Sequence, residues 1–153
     1  MRYQCPVLIV KDIEKSKAFY REVLEIETLA EEPNGATLAG GIRLQTEESW
    51  KKDTNEDDIY YGGWDSVLCF EEDNIPPLFL KLYQKGVPLE HKLRRNGRQT
   101  LRVEDPDGHV IEISDGMSAV CKRFSDKGMT VEAIAERTQL SVEQVKTYLQ
   151  ANE

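Results

Sequence analysis

The chain has 153 residues, 39% hydrophobic and 31% charged, the proportions of a globular protein with one domain or two small modules around a core. Its formal net charge of −8 argues against nonspecific binding to nucleic acid or an anionic membrane, since both want cationic patches. No apolar run approaches membrane-spanning length.

The N-terminus enters a strand, Arg2 to Val10, with no signal-peptide pattern, so a cytoplasmic location is expected. Asp12 is a suitable N-cap for a helix through Leu24, whose apolar positions Ile13, Phe19, Tyr20, Val23 and Leu24 keep helical spacing. A strand is expected over Glu25 to Glu31, and Glu32-Pro33-Asn34-Gly35 reads as a turn. Ala36 to Gln45 reads as two short strands broken at Gly40-Gly41, and Lys51 to Asp58 as a polar, charged loop. The three cysteines, Cys5, Cys69 and Cys121, are odd in number and widely spaced, which fits neither a disulfide framework nor a zinc cluster. Each is expected to be a small buried apolar side chain.

The pattern then restarts. Asp65 to Glu71 reads as a strand, and Asn74 as the cap of a helix over Ile75 to Lys85 with Pro76 and Pro77 in its first turn. Val87 to Leu93 is a further strand candidate. Val10-Lys11-Asp12-Ile13 is echoed by Glu72-Asp73-Asn74-Ile75 roughly 62 residues later, which suggests two copies of one β-α-β-β-β unit.

The second copy ends in the most informative stretch, Thr100 to Ser114. Asp105-Pro106-Asp107-Gly108 has turn chemistry at each position and joins two antiparallel strands. After it, Ile111 and Ile113 share one face, suited to packing under a helix. Val110, Glu112 and Ser114 share the other, which makes Glu112 a carboxylate in mid-strand. His109 follows the turn and is expected in solvent, and His91 on a strand surface. From Met117 the character changes: Thr130 and Ser141 read as N-caps of two short helices, the second with Gln144 completing a capping box. This helical hairpin is too small to fold alone, so it must dock on something.

VKDIEKSKAFYREVLE (Val10 to Glu25) and VEDPDGHVIEIS (Val103 to Ser114) together resemble the glyoxalase/bleomycin-resistance/dioxygenase family, also called the vicinal oxygen chelate superfamily. The resemblance covers about residues 1–116, with modules about 1–60 and 62–116, and leaves 117–153 as a helical extension. It implies an α+β fold in which two β-α-β-β-β modules form curled sheets around a shared cavity. In enzymes of the family that cavity usually holds a divalent metal on His and Glu side chains, as a Lewis acid. Carried over position by position, the first-strand histidine falls on Cys5. The first glutamate falls on Arg43, and the second histidine on Val67, or on Asp65 if the register slips. Only the last glutamate survives, as Glu112. No ordinary metal site, and no cofactor, is expected.

The resemblance also implies a cavity wall of Cys5, Arg43, Gln45, Val67, Cys69 and Glu112, mostly apolar with one cation and one anion. An unpaired Glu112 there would suffer desolvation and a raised pKa. In one reading Arg43 approaches it in place of the metal charge; in the other Arg43 points to solvent and Glu112 is held by water or a hydroxyl. The leading functional expectation, with the homodimer that the resemblance implies, is a protein that binds a small, partly apolar molecule without metal catalysis. Trp50, Tyr60, Tyr61 and Trp64 offer aromatic faces for it. A second expectation is a metal-dependent lyase, isomerase or dioxygenase, with Glu112 catalytic and Asp65, Cys5 or His91 as atypical ligands. A third makes the tail, which resembles a helix-turn-helix, the output of a ligand-sensing regulator. Five cations against five anions over Lys122 to Glu153 argue against DNA recognition by it.

Overall fold

In a computed structural model of the protein, residues 1–63 and 65–151 are described; Trp64 lies outside them. The chain divides into two compact units. One comprises Met1–Val67 with Glu104–Val110, the other Leu68–Val103 with the chain from Ile111 onward.

The first unit holds strands β1 (Val7–Val10), β2 (Thr28–Glu32), β3 (Gly35–Leu38) and β4 (Arg43–Thr46), ordered β1-β4-β3-β2, with helix α1 (Ile13–Leu24) between β1 and β2. β1 and β4 run parallel; the other neighbours are antiparallel. The Asp12 side chain accepts the Lys15 N–H and caps α1 as expected. Val10, Tyr20, Ala36, Leu38 and Leu44 are fully buried and form the core of this half. Gly35 is required by close approach: a Cβ there would lie 2.7 Å from the Leu44 carbonyl oxygen. β1 starts at Val7 rather than Arg2, so Cys5 precedes the strand.

The segment expected as a charged loop, Lys51 to Asp58, is helical in its first half, where it forms the end of α2 (Glu47–Thr54), and irregular from Asn55 on. The helix has no apolar stripe, and its stability comes from its ends. Thr46 caps it through the Ser49 N–H, Glu47 and Glu48 complement the dipole at its start, and Lys51 and Lys52 do so in its last turn. Lys51 also bridges to Glu47 at 2.6 Å, and Asn55 closes the helix in the left-handed conformation at φ 59°.

The second unit repeats the arrangement. Strands β5 (Leu68–Glu71), β6 (Leu89–Leu93), β7 (Gln99–Glu104) and β8 (Val110–Ser114) are ordered β5-β8-β7-β6, with α3 (Ile75–Gln84) between β5 and β6. Ile13 and Ile75, the residues paired by the sequence repeat, both open their helices. Asn74 occupies the N-cap position of α3, but its side chain makes no capping hydrogen bond. Leu101, Val103, Ile111 and Ile113 are buried on one face of the sheet, confirming the isoleucine face. His91 shares that face by register with Leu101 and meets the Phe79 ring of α3 at 5.6 Å.

The tail contains three helices rather than two: α4 (Met117–Asp126), α5 (Val131–Thr138) and α6 (Val142–Gln150). Thr130 and Ser141 cap α5 and α6 as expected, and the Ser141–Gln144 capping box is complete. Val120, Cys121, Phe124, Ile134, Ala135 and Val145 form one buried cluster, so α4 supplies the surface on which the expected hairpin docks. Gly97, at φ +87°, meets the Phe124 ring so closely that an added Cβ would lie 2.3 Å from it. Buried Asp115 ties the same place together. It accepts the Gln99 N–H at 2.8 Å and Arg123 at 2.7 Å, while Arg123 also donates to the Gly97 carbonyl at 2.6 Å. The cysteines differ from one another: Cys121 is buried, with burial pushing its thiol pKa up, Cys5 is half-buried, and Cys69 is exposed.

Candidate functional site: an arginine-clamped glutamate

Glu112 stands on the face of the second sheet opposite the isoleucines. Its strand neighbour across the parallel ladder is Cys69. On the other side, Thr100 and Ser114 share a hydrogen bond of 3.0 Å, and Arg102 reaches Glu112. Thr100, Arg102, Glu112 and Ser114 therefore occupy one face, and register with β6 brings Glu90 and Lys92 onto it as well.

Both oxygens of Glu112 are engaged. Arg94, from the turn after β6, approaches them at 2.7 and 2.6 Å. Arg102 donates through Nε at 3.1 Å to Oε1, with a second contact from its Nη2. The Glu112 side chain is 14% exposed, Arg102 19% and Arg94 46%, so the pair is sheltered on one side and open on the other. Burial works to raise the Glu112 pKa, but the hydrogen bond from Arg102 and the charges of Arg94 and Arg102 outweigh it and hold the carboxyl below its ordinary value. The paired carboxylate thus shifts opposite to the rise expected of an unpaired one.

Arg43, which in one reading approaches Glu112, is paired within its own sheet with Glu32 at 2.8 Å. Gln45 is also engaged locally: its amide donates to Ser49 at 3.2 Å and Asp53 at 3.0 Å, both on α2. Val67 precedes β5 and is 38% exposed. Of the six residues named for the cavity wall, Cys69 and Glu112 are brought together as cross-strand neighbours. Cys5, Arg43, Gln45 and Val67 belong to the other unit.

The residues do not fit the metal that the fold family implies. Both oxygens of Glu112 are taken by guanidiniums, and Arg43 is a cation paired with Glu32. Among the described residues, no three His, Cys, Asp or Glu side chains converge into a group able to hold a metal ion.

A second constellation sits in the first unit. Asp105, 5% exposed, accepts the Tyr20 hydroxyl at 3.1 Å and pairs with His109 Nδ1 at 2.8 Å. Its other oxygen accepts the backbone N–H groups of Asp107 and His109, both at 2.9 Å. Burial opposes ionisation of Asp105, yet His109 and these N–H groups bring its pKa below the ordinary carboxylate value, while burial and the Asp105 charge push Tyr20 upward. His109, expected in solvent, is only 22% exposed and locks the turn. Its ring lies 6.4 Å from Tyr61, whose hydroxyl donates to Glu47 at 2.8 Å and whose face carries Lys11 at 4.2 Å. Tyr61 is thus tied up locally, while Tyr60 is exposed. Sequence reasoning found Asp105 only as a turn former; its spacing from His109 was the available signal.

With this geometry in view, the chain belongs to the glyoxalase-like domain family, whose pattern matches residues 3–118, and so to the vicinal oxygen chelate superfamily. A metallothiol transferase, FosB of Staphylococcus saprophyticus, is 29% identical over 110 residues, spanning 70% of this chain and 72% of that protein. A crystal structure of a protein of unknown function from Agrobacterium tumefaciens superposes with a TM-score of 0.67 at 28% identity, covering 76% of this chain and 94% of the other. A lactoylglutathione lyase from the same organism, at 21% identity and a TM-score of 0.61, covers 76% of this chain and 94% of its own and shares the fold.

Proposed function

We propose that this protein is a glyoxalase-like binding protein that takes a small, partly apolar molecule without a divalent metal at Glu112. The observation that carries the reading is the two-arginine clamp on both Glu112 oxygens. A metal entering there must displace two charge-assisted contacts and then find its remaining donors, which the carried-over positions do not supply. The ligand's polar end meets the Glu112 face, with the Cys69 thiol and the Ser114 and Thr100 hydroxyls beside it. In this reading residues 1–116 are the binding domain and 117–153 an extension, and the protein works in the cytoplasm as a homodimer. Among the described residues no helix is long and apolar enough to cross a membrane.

The test is elemental analysis after dialysis, followed by a thermal-shift screen of small organic compounds. Substoichiometric metal together with a stabilising compound supports the proposal. Sedimentation velocity checks the dimer, which a monomer at micromolar concentration would contradict.

A second reading follows from the relative named as a metallothiol transferase: a metal-dependent transferase, lyase or related enzyme with an atypical donor set. Stoichiometric metal that resists dialysis would favour it.

A further inference from the structure

We propose that the Arg94 side of the Glu112 clamp is a binding site for a small oxyanion, a carboxylate or a phosphoryl group, carried by the ligand. The inference rests on the metal-free binding reading above and names the ligand's charge.

Four observations converge on it. The first is charge. On this face Lys92, Arg94 and Arg102 stand with Glu90 and Glu112, and register and alternation add Glu71, paired with Arg98, and Glu104 at the end of β7. Lys92 pairs with Glu90 at 2.8 Å and Arg98 with Glu71 at 3.3 Å, and Glu112 is left to two guanidiniums, so the clamp itself carries one positive charge in a chain whose total is −8. At physiological ionic strength the screening length is about 8 Å, so an approaching anion responds to this local excess more than to distant carboxylates.

The second is donor capacity. A guanidinium has five N–H groups in a planar fork. Among the described residues, Arg94 uses one terminal nitrogen, on Glu112, and is 46% exposed. Its Nε–H and its other terminal nitrogen remain for a second acceptor.

The third is preorganisation. Arg94 sits on a closed turn: its N–H donates to the Arg98 carbonyl at 2.7 Å, and the Gly97 N–H donates to the Arg94 carbonyl at 2.9 Å. Gly97 is fixed in turn by Arg123 on its carbonyl and Phe124 against its Cα. The side chain is then anchored at its far end by Glu112, so little conformational freedom is lost when an anion binds. The fourth is surroundings: the Thr100 and Ser114 hydroxyls lie on the same face, and since one donates to the other at 3.0 Å, one O–H of the two is left for an oxyanion. Glu112 in this arrangement serves as the strut that aims Arg94.

Inorganic phosphate and manganese(II) are the probes, read by NMR of the arginine Nε–H groups in the full-length protein. Phosphate is expected to shift the Arg94 resonance saturably in the millimolar range. Arg94→Gln should weaken binding, followed on Arg102 Nε–H, by about tenfold, the value of one charge-assisted contact. Arg94→Lys, which keeps charge and fold, should recover part of it, and Arg95→Gln, on the same turn, should leave it unchanged. Equal losses in the Arg94 and Arg95 variants, or no response to phosphate, overturn the inference. If phosphate fails while a neutral or cationic compound shifts Arg94, the anion assignment falls and the metal-free reading stands. Manganese broadening centred on Glu112 would sink both.

Discussion

The two sheets have the same strand order and the same β-α-β-β-β path, yet they use their polar faces differently. In the first, Arg43 and Glu32 form an exposed pair, and Gln45 is spent on holding α2. In the second, the equivalent region carries a sheltered carboxylate held by two arginines. The helices after the last strands diverge in the same way. α2 has no fully buried residue and lives on its caps, whereas α4 buries Val120, Cys121 and Phe124 and seeds the tail. A shared backbone plan therefore fixes where side chains stand, and the residues placed there decide which half holds a charged site.

The largest effect expected from testing this contrast is at the tail. Phe124→Ala removes a buried ring from the α4 cluster and should cost about 3–5 kcal/mol in denaturant unfolding. Trp50→Ala, on the uncored helix α2, should cost well under half of that. Equal losses would show that α2 is anchored as deeply as α4.

Next is the clamp. Glu112→Gln leaves Arg94 and Arg102 facing each other and should destabilise by about 1–3 kcal/mol, while Arg43→Gln, breaking an exposed pair, should cost about 0–1 kcal/mol. Chemical denaturation of both variants ranks the two sites directly, and a costlier Arg43 variant would reverse the assignment.

Acid probes the same difference. The folded Glu112 and Asp105 pKa values lie below their ordinary values of 4.5 and 3.8. Their contribution is complete above those values and is lost as pH falls through the lower folded values. Stability should drop as pH falls below about 4.5, and Glu112→Gln should flatten the upper part of that decline. A pH profile of midpoint denaturant concentration that is identical in the variant would contradict it. The smallest effect is at Tyr20→Phe, which removes one hydrogen bond to Asp105 and should cost about 1 kcal/mol.

Much of this architecture was legible in the sequence because it is written in local signals. The Asp105–Gly108 turn, the Ile111/Ile113 face, the Asp12 cap and the Ile13/Ile75 repeat each depend on neighbours close in the chain. α2 escaped because its evidence lies at its ends, in Thr46, Glu47 and Lys51, and a search for apolar periodicity passes over it. The site was legible only at Glu112. Its partners come from a turn 18 residues upstream and from a neighbouring strand, and only register brings Arg102 and Arg94 to it. Position-by-position transfer pointed to Arg43 because it tracks family ligands and carries no information about new ion pairs. The buried Asp105 was hidden for a related reason: its partner Tyr20 is 85 positions away.

The account stands most directly on the ionisation of one carboxyl group, followed by carbon-13 NMR through an acid titration. Glu112 should titrate below 4.5 in the native protein, and Arg102→Gln or Arg94→Gln should each move its midpoint upward. A midpoint at or above 4.5 that neither arginine variant changes would show that the clamp does not hold Glu112.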